Sequence, residues 1–390
     1  MKFRGIVFQI DDLFEHAGFG SIIDEGDSVV VKVHTGDEYN NWTMRPAFIR
    51  RVVENVKKLK GIPFVSDATQ LYKLARFTSH GLIEAAATNG FAESTLGCPV
   101  VCADGPNVTW SNPINCEDVM LQIPDGNRLR EIEIASAFVN ADVMIVCARV
   151  SPAPDRRSML KHIGMGCASK RGKARIHEAT RPKVDPERCT GCGVCADYCA
   201  WDAIQITDGK ARIDYSRCYG CLICNGACSL GGQGGLSGGL LLQRDGGILK
   251  QMGIVDAAAA LIRQKKGKVG YLSFLIDYVD ECENWHKRPL FPDIGILASK
   301  DPVAIDAAAY GLIAEAPFLP WSEADALPSN SDKIDSWPPN APGRYDWNAQ
   351  LQAAEKLGLG TREYELVEID AIGSKYDYRG LGGFVPSKKT

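Results

Sequence analysis

The sequence lacks several features that would place the protein in a well-marked functional class. Its 390 residues contain no run of about 18 apolar residues, so we expect no membrane-spanning helix and no membrane partner. The formal net charge is −4, so the excess of basic residues typical of nucleic-acid-binding proteins is missing as well. No Gly-x-Gly-x-x-Gly fingerprint is present, which argues against a bound nicotinamide dinucleotide. Asp11 and Asp12 come too early for the apolar core of a signal peptide, so we expect a cytoplasmic protein.

Cysteine, by contrast, is abundant and clustered. Eight of the 14 cysteines lie between Cys189 and Cys228. In an intracellular chain, such cysteines are more often metal ligands or redox groups than disulfides. They form two runs, 189–199 and 218–228, each with the spacing C-x2-C-x2-C-x3-C of bacterial two-cluster ferredoxins. Residues 186–230, called the cysteine-rich segment below, are therefore predicted to be an inserted α+β ferredoxin-like domain that holds two 4Fe–4S clusters.

The same spacing predicts which cysteines share a cluster. Three thiolates on a tight loop wrap three irons of one cube, while the fourth cysteine of the run is carried to the other cube. Set 1 is predicted to be Cys189, Cys192, Cys195 and Cys228. Set 2 is predicted to be Cys199, Cys218, Cys221 and Cys224. A pair of structural zinc sites is the alternative, but zinc would leave the third and fourth cysteines of each run redundant.

Strands and helices alternate on both sides of the cysteine-rich segment, which predicts an α/β fold with a mainly parallel sheet flanked by helices. The predicted strands are 28–34, 62–66, 98–102, 141–147, 268–276, 293–298 and 363–369. The predicted helices are 46–59, 81–87, 257–264, 301–313 and 349–357. The few elements at 231–315 cannot bury a core alone, so we expect them to complete one domain with residues 1–185. Residues 231–239 are predicted to be a flexible connector, and 316–390 an extended loop followed by the last helix and strand.

The sequence resembles the domain-of-unknown-function 362 family, in its version with an inserted ferredoxin. Matching stretches run in order through nearly the whole chain, at 31–36, 65–69, 164–169, both cysteine runs, 293–306 and 357–367. The resemblance implies an iron–sulfur protein but supplies no substrate. Residues 149–157 and His162 depart from the family pattern, and Cys282 lacks the second cysteine usual beside it. These departures indicate a divergent member.

Polar residues follow two of the predicted strands. Lys32 and His34 end the first strand, and Asp67 and Thr69 end or follow the second. Ligands of α/β proteins collect at the carboxyl ends of strands, so Asp67 and Thr69 are candidate substrate-binding residues. Reduction of a substrate commonly needs an acid near the reduced atom, which makes His34, Lys32 and His162 candidate catalytic residues.

Cys167 is the candidate nucleophile outside the cysteine-rich segment. It lies in a glycine-rich stretch followed by Lys170, Arg171 and Lys173, which are expected to lower the pKa of a nearby thiol. The same three cations are candidate ligands for an anionic substrate. The alternative is a solvated basic loop next to a buried thiol.

Three functions fit these residues. The first is an iron–sulfur oxidoreductase, in which an external low-potential ferredoxin or reductase loads two clusters that pass single electrons to a small, anionic substrate on the α/β domain. The second is an electron-transfer subunit whose α/β part docks a partner enzyme. The third is a non-redox enzyme that uses Cys167 for sulfur or group transfer. The first is favoured, because a pure carrier does not need so much chain around its clusters and a docking module has little use for the polar strand ends.

Overall fold

The computed structural model describes residues 6–151, 158–231, 238–243, 245–279, 288–322 and 346–369. Its strands are β1 (Ser28–Lys32), β2 (Ile62–Asp67), β3 (Val100–Cys102), β4 (Asp118–Gln122), β5 (Glu131–Ala135), β6 (Val143–Arg149), β7 (Lys183–Val184), β8 (Ile204–Thr207), β9 (Lys210–Ile213), β10 (Leu240–Leu241), β11 (Val269–Leu275) and β12 (Gly295–Ser299). Its α-helices are α1 (Ile6–His16), α2 (Pro46–Lys58), α3 (Ser79–Thr88), α4 (Glu93–Leu96), α5 (Ser136–Asn140), α6 (Met159–Cys167), α7 (Lys170–His177), α8 (Val194–Asp197), α9 (Ile223–Gly231), α10 (Gly246–Gln264), α11 (Pro302–Glu315) and α12 (Trp347–Lys356).

A six-stranded sheet forms the centre of the molecule, in the order β12-β11-β6-β1-β2-β3. Every neighbouring pair is parallel except β11 and β12. Strand β11 follows the cysteine-rich segment in the sequence but pairs with β6, which precedes it. The expected α/β fold, with a mainly parallel sheet flanked by helices, is therefore confirmed.

Alternate side chains of the central strands pack into two helical layers. In β1, Val29 and Val31 belong to the apolar core under α1 and α2, whereas Val30 belongs to the core under α5, α6, α10, α11 and α12. Successive side chains of a strand point to opposite faces, so burial on both faces requires a nearly continuous apolar run. This requirement explains the β-branched sequence of β1.

Most of the predicted elements are present with shifted ends. Helix α11 begins as expected: the carboxylate of Asp301 accepts hydrogen bonds from the backbone N–H groups of Val303 and Ala304. The predicted helix 257–264 is only the last part of α10. The strand predicted at 363–369 is wrong, because these residues have no regular structure and the apolar side chains of Leu366 and Val367 are exposed rather than packed on a sheet.

The glycine-rich stretch around Cys167 lies mostly in helices α6 and α7. Gly164 lies where α6 crosses α10, and a Cβ there would be 1.9 Å from the carbonyl oxygen of Ile254. A Cβ on Gly172 would be 2.1 Å from the carbonyl oxygen of Glu133. These glycines therefore serve close packing between elements and not backbone freedom.

The cysteine-rich segment contains a β-hairpin. Strands β8 and β9 pair antiparallel around Asp208 and Gly209, which both adopt positive φ, as a two-residue turn of this kind requires. The antiparallel pair β7 and β10 closes the segment at its base. The connector residues 232–237, most of the predicted loop (323–345) and Cys282 lie outside the described residues. Within the described ranges, no helix has the length and apolarity needed to cross a membrane.

The contact at Gly164 generates a stability prediction. Changing Gly164 to Ala pushes a methyl group into the backbone of α10, so we expect the free energy of unfolding to fall by about 3 kcal/mol. Gly311→Ala in α11 is the matched control, because a Cβ there meets only the hydroxyl of Tyr364, at 3.0 Å. Urea denaturation measures both variants, and equal stability of the two would contradict the close packing of α6 on α10.

Candidate functional site

The carboxyl ends of β1 and β6 mark the place where the sheet changes direction. From β1 the chain continues to β2 and β3 on one side, and it later returns to β6 on the other side of β1. In open α/β sheets ligands bind at such a switch point, where a crevice forms outside the strand ends. A cavity lies at this position, called the strand-end cavity below. It is lined by His34, Trp42, Thr43, Met44, Cys147, Arg149 and His162.

A buried ion cluster lies beside His34. The ammonium of Lys32 donates to Oδ1 of Asp67 at 2.8 Å, and Arg76 donates to Oδ2 at 3.3 Å. The backbone N–H of Thr35 donates to the same Oδ2 at 3.1 Å. Burial raises the pKa of Asp67, but attraction by Lys32, His34 and Arg76 outweighs burial and holds that pKa well below its usual range. Asp67 is therefore a fixed negative charge.

The tautomer of His34 follows from its neighbour. Its Nδ1 lies 3.4 Å from Nη1 of Arg76 and 3.7 Å from Oδ2 of Asp67. A guanidinium can only donate hydrogen bonds, so Nδ1 is the acceptor in the contact with Arg76. The neutral ring of His34 therefore carries its proton on Nε2.

His162 has the opposite arrangement. Its Nδ1 lies 3.1 Å from the carbonyl oxygen of Ser158, which can only accept, so Nδ1 is protonated and Nε2 carries the lone pair of the neutral ring. The two imidazoles are perpendicular, with ring centroids 6.5 Å apart. One cavity thus contains a donor ring and an acceptor ring, a pair suited to proton transfer with a small molecule.

Helix α6 holds His162 in place through its first turn. Asp306 of α11 accepts hydrogen bonds from the backbone N–H groups of Met159 at 2.7 Å and Leu160 at 3.0 Å. The hydroxyl of Ser158 accepts from the N–H of Lys161. These bonds satisfy backbone donors that the helix itself leaves open and fix the direction in which α6 approaches the cavity.

Arg149 supplies positive charge at the end of β6. Its side chain is buried and donates to the carbonyl oxygen of Asp277 at 2.5 Å. The carboxylate of Asp277 is in turn bound by both nitrogens of the Arg45 fork, at 2.7 and 3.1 Å. A guanidinium with its orientation fixed in this way is suited to attract an anion into the cavity.

The predicted candidates at Lys170, Arg171 and Lys173 do not form one anion-binding group. Lys170 is fully buried, donates to the carbonyl oxygen of Phe77, and burial lowers its pKa to about 8. Lys173 donates to the carbonyl oxygen of Ala168 at 2.6 Å. Arg171 pairs with Asp118 at the surface. None of the three lines the strand-end cavity, so the structure places these candidates apart from His34 and His162.

Cys167 does not have the low pKa expected from its basic neighbours. The thiol is fully buried, and burial raises its pKa to about 12 although Lys32 and Lys173 act in the opposite direction. Its Sγ points to the carbonyl oxygen of His162, at 3.8 Å. A thiol in this state is protonated at neutral pH, so its surroundings are those of a structural cysteine and not of a nucleophile.

Two other strand-end residues stabilise the site without lining the cavity. Lys32 is 1% exposed, and its ammonium is occupied by Asp67 and by the carbonyl oxygen of Val33. Thr69 donates to Asp104, which follows β3, at 2.5 Å through its hydroxyl and at 2.9 Å through its N–H. Lys32 and Thr69 thus hold neighbouring strand ends together.

Sequence reasoning missed three residues of this region. Arg149 and Asp104 end or follow predicted strands, so the rule that selected Lys32 and Asp67 would have found them too. Arg76 lies in a stretch with no recognisable pattern, and its place beside Asp67 follows only from the fold.

The eight clustered cysteines line two separate cavities. The four cysteines of set 1 line one cavity, together with Arg188, Ile206 and Leu240. The four cysteines of set 2 line the other, together with Trp201 and Tyr219. Each predicted set, with three cysteines from one run and one from the other, thus surrounds a common space. In the described part of the chain, no three His, Cys, Asp or Glu side chains are placed so that they could hold a single metal ion.

Hydrogen-bond donors accompany both cysteine cavities. The backbone N–H of Ala211 donates to Sγ of Cys189 at 3.3 Å, and that of Ala203 donates to Sγ of Cys199 at 3.4 Å. The indole N–H of Trp201 is buried and has no acceptor among the described residues. Donors directed at sulfur are characteristic of iron–sulfur sites, so the residues present fit such a cofactor.

Set 2 is the set that packs against the α/β domain. Cys218 and Trp201 share an apolar cluster with Leu71 and Phe77, and Phe77 directly follows Arg76 of the ion cluster. Arg181 also donates to the carbonyl oxygen of Cys218 at 2.7 Å. Set 1 packs instead against residues of the segment itself and against Val184 and Leu240 of the flanking strands β7 and β10.

Comparison with known proteins identifies one family. The family model described as "Domain of unknown function (DUF362)" matches residues 29–311. A solved structure, the lactate racemase apoprotein from Thermoanaerobacterium thermosaccharolyticum, is similar with a TM-score of 0.37 and 11% identity over 78% of this chain. The chain covers 55% of that structure, or about half of its length. No curated protein sequence matches significantly.

The ion cluster generates a stability prediction. Asp67→Asn leaves the ammonium of Lys32 buried without its carboxylate and removes one of the two carboxylates near Arg76, which keeps Asp37 at 3.6 Å, so we expect the free energy of unfolding at neutral pH to fall by about 3–5 kcal/mol. Because folding lowers the pKa of Asp67 below its usual 3.8, its contribution is present above that pH and is lost as the pH falls further. The difference between wild type and D67N should therefore shrink in acid, which urea denaturation at a series of pH values measures.

Asp125→Asn is the control for the loss of one negative charge. Asp125 pairs with Arg263 at the surface, where ion pairs contribute little, so D125N should unfold like the wild type. If D67N matched D125N at neutral pH, the ion cluster would not stabilise the folded protein.

Proposed function

Within the DUF362 family, to which this chain belongs, we propose that the protein is an iron–sulfur oxidoreductase. In this proposal the cysteine-rich segment is a ferredoxin-like domain with two 4Fe–4S clusters, and the electrons reach a small anionic molecule in the strand-end cavity. The observation that carries the proposal is the pair of cavities, each lined by four cysteines that the ferredoxin spacing assigns to one cluster.

Each set of cysteines has residues suited to hold a cluster. Four thiolates ligate a 4Fe–4S cube, and the N–H groups of Ala203 and Ala211 donate to a cysteine sulfur in set 2 and set 1, respectively. When bound, the clusters supply one-electron transfer. Cys192 of set 1 is exposed, whereas Cys218 and Cys224 of set 2 are buried. An external low-potential ferredoxin or reductase would therefore dock near set 1.

The strand-end cavity has the residues that a reducible anion needs. The positive charge of Arg149 attracts the anion, and the side chains of His34 and His162 hold exchangeable protons. A molecule that gains two electrons commonly takes up two protons, so proton-bearing groups belong beside it.

The oxidoreductase hypothesis accounts for the strand-end cavity better than the two alternatives do. Group transfer by Cys167 would require a thiolate, which the burial of that thiol disfavours. A docking subunit would not need two histidines of complementary tautomer in one cavity. The cavity variants described below separate the oxidoreductase from the docking subunit, because they should slow only an enzyme that uses this cavity.

Metal analysis tests the cluster assignment. Anaerobically isolated protein should contain about eight irons and eight sulfides per chain, and the reduced protein should give the EPR spectrum of two interacting S = 1/2 centres. Cys199→Ser with Cys218→Ser removes two ligands of set 2 and should leave about four irons. Cys195→Ser with Cys199→Ser removes one ligand from each set and should alter both EPR signals.

Cys102→Ser serves as the control for these double variants, because Cys102 is buried far from both runs in sequence, on β3. It should retain the full iron content. A wild-type protein that binds zinc and no iron, or a loss of only one signal in the Cys195/Cys199 variant, would refute the assignment.

Single-turnover kinetics test the cavity. Anaerobically reduced protein is mixed with small carboxylates, phosphate esters and sulfonates that carry a reducible group, and cluster oxidation is followed by absorbance. We expect at least one compound to oxidise the clusters faster than buffer does, and His34→Gln or His162→Gln to slow that reaction about 100-fold at unchanged iron content. His80→Gln is the matched control, since His80 is exposed on α3. Equal rates in all three variants would contradict the proposed site.

A further inference from the structure

The indole N–H of Trp201 is a buried donor with no acceptor in the described part of the chain. The residue is 9% exposed, and its Nε1–H has no hydrogen-bond partner among the described residues. Nearly all buried donors in folded proteins are paired, so an unpaired one calls for a ligand or another specific cause. Trp201 lines the cavity of set 2, where the proposed function places a cluster.

Two aromatic rings fix the position of this indole. Tyr219 packs edge-on against it with ring centroids 4.3 Å apart, and Phe77 lies tilted at 5.5 Å. Tyr219 follows Cys218 of set 2, and Phe77 belongs to the α/β domain. The indole therefore packs between the second cysteine loop and the α/β domain, and these two contacts fix the orientation of its ring.

We propose that Nε1–H of Trp201 donates a hydrogen bond to a sulfur atom of the cluster held by set 2, and that this bond raises the reduction potential of that cluster. The proposal rests on the proposed function, which supplies the cluster. Reduction adds one negative charge to a cluster, and a hydrogen-bond donor at sulfur stabilises the reduced form more than the oxidised form. The bond thus favours an electron on the cluster that packs against the α/β domain.

Trp201→Phe tests the proposal in the full-length, anaerobically isolated protein. Phenylalanine keeps an aromatic ring between Tyr219 and Phe77 and removes the N–H. In an EPR-monitored redox titration we expect the ratio of reduced to oxidised set 2 cluster at a fixed potential to fall about tenfold, which is a shift of about 59 mV to a lower midpoint. The midpoint of the other cluster should not change.

Trp110→Phe is the matched control. Trp110 stacks on Phe77 at 4.8 Å, but it is 58% exposed and does not line the cavity of set 2. Its replacement should leave both midpoints unchanged. Equal shifts in W110F and W201F would overturn the proposal, because the effect would then come from altered packing around Phe77.

A second measurement uses only the wild-type protein, so it does not depend on whether a variant folds. Wild-type protein grown with tryptophan labelled with nitrogen-15 at the indole should show a weak nitrogen-15 hyperfine coupling to one reduced cluster in pulsed EPR. The absence of that coupling in iron-loaded protein, or equal midpoints in iron-loaded wild type and W201F, would overturn the role of Trp201 and leave the proposed function standing. A wild-type chain that binds no iron would overturn both.

Discussion

The buried carboxylate of Asp67, with the cations Lys32 and Arg76, is the interaction on which the strand-end site depends. Removing three charges from water is costly, and the cost is recovered only while all partners stay in place. Because the three residues come from β1, from β2 and from the connection after β2, their pairing fixes two strand ends and a loop at once. Helix α6 packs closely against the same ion cluster, since a Cβ on Gly166 would lie 3.0 Å from Cε of Lys32. The position of His162 thus depends indirectly on the same charges.

The α/β domain and the cysteine-rich segment meet at set 2. The ring of Phe77 contacts the indole of Trp201, and the next residue back, Arg76, binds Asp67. The ring nitrogen Nδ1 of His177 lies 3.2 Å from the carbonyl oxygen of Gly220 in the second cysteine loop. A carbonyl can only accept, so this contact is a hydrogen bond from the end of α7. The two parts of the protein therefore share one packed interface, in which Phe77 contacts Trp201 of the set 2 cavity and directly follows Arg76 of the ion cluster.

Features of the structure that depend on residues close together in the sequence were predicted from local sequence patterns. The spacing of the cysteines gave the two sets that line separate cavities, and alternating elements gave the parallel sheet with Lys32 and Asp67 at its edge. Long-range packing decided the rest. Nothing near Arg76 shows that it reaches Asp67. The lysines after Cys167 indicated a low thiol pKa, but burial of this thiol in the apolar core has the larger effect and raises the pKa. The close packing at Gly164 and Gly172 involves backbones far away in the sequence, so no local pattern indicates it.

The pairing of β6 with β11 also has a consequence for the order of folding. The two strands are separated in sequence by the whole cysteine-rich segment, whose own β8–β9 hairpin joins residues close in the chain. Contacts between near residues form early, and chains fold from the N-terminal side as they leave the ribosome. The segment therefore emerges while β6, at the centre of the final sheet, still has a bare edge. Until β11 is synthesised, that edge is open to pairing with other nascent chains, and the speed of translation through the segment sets how long this exposure lasts.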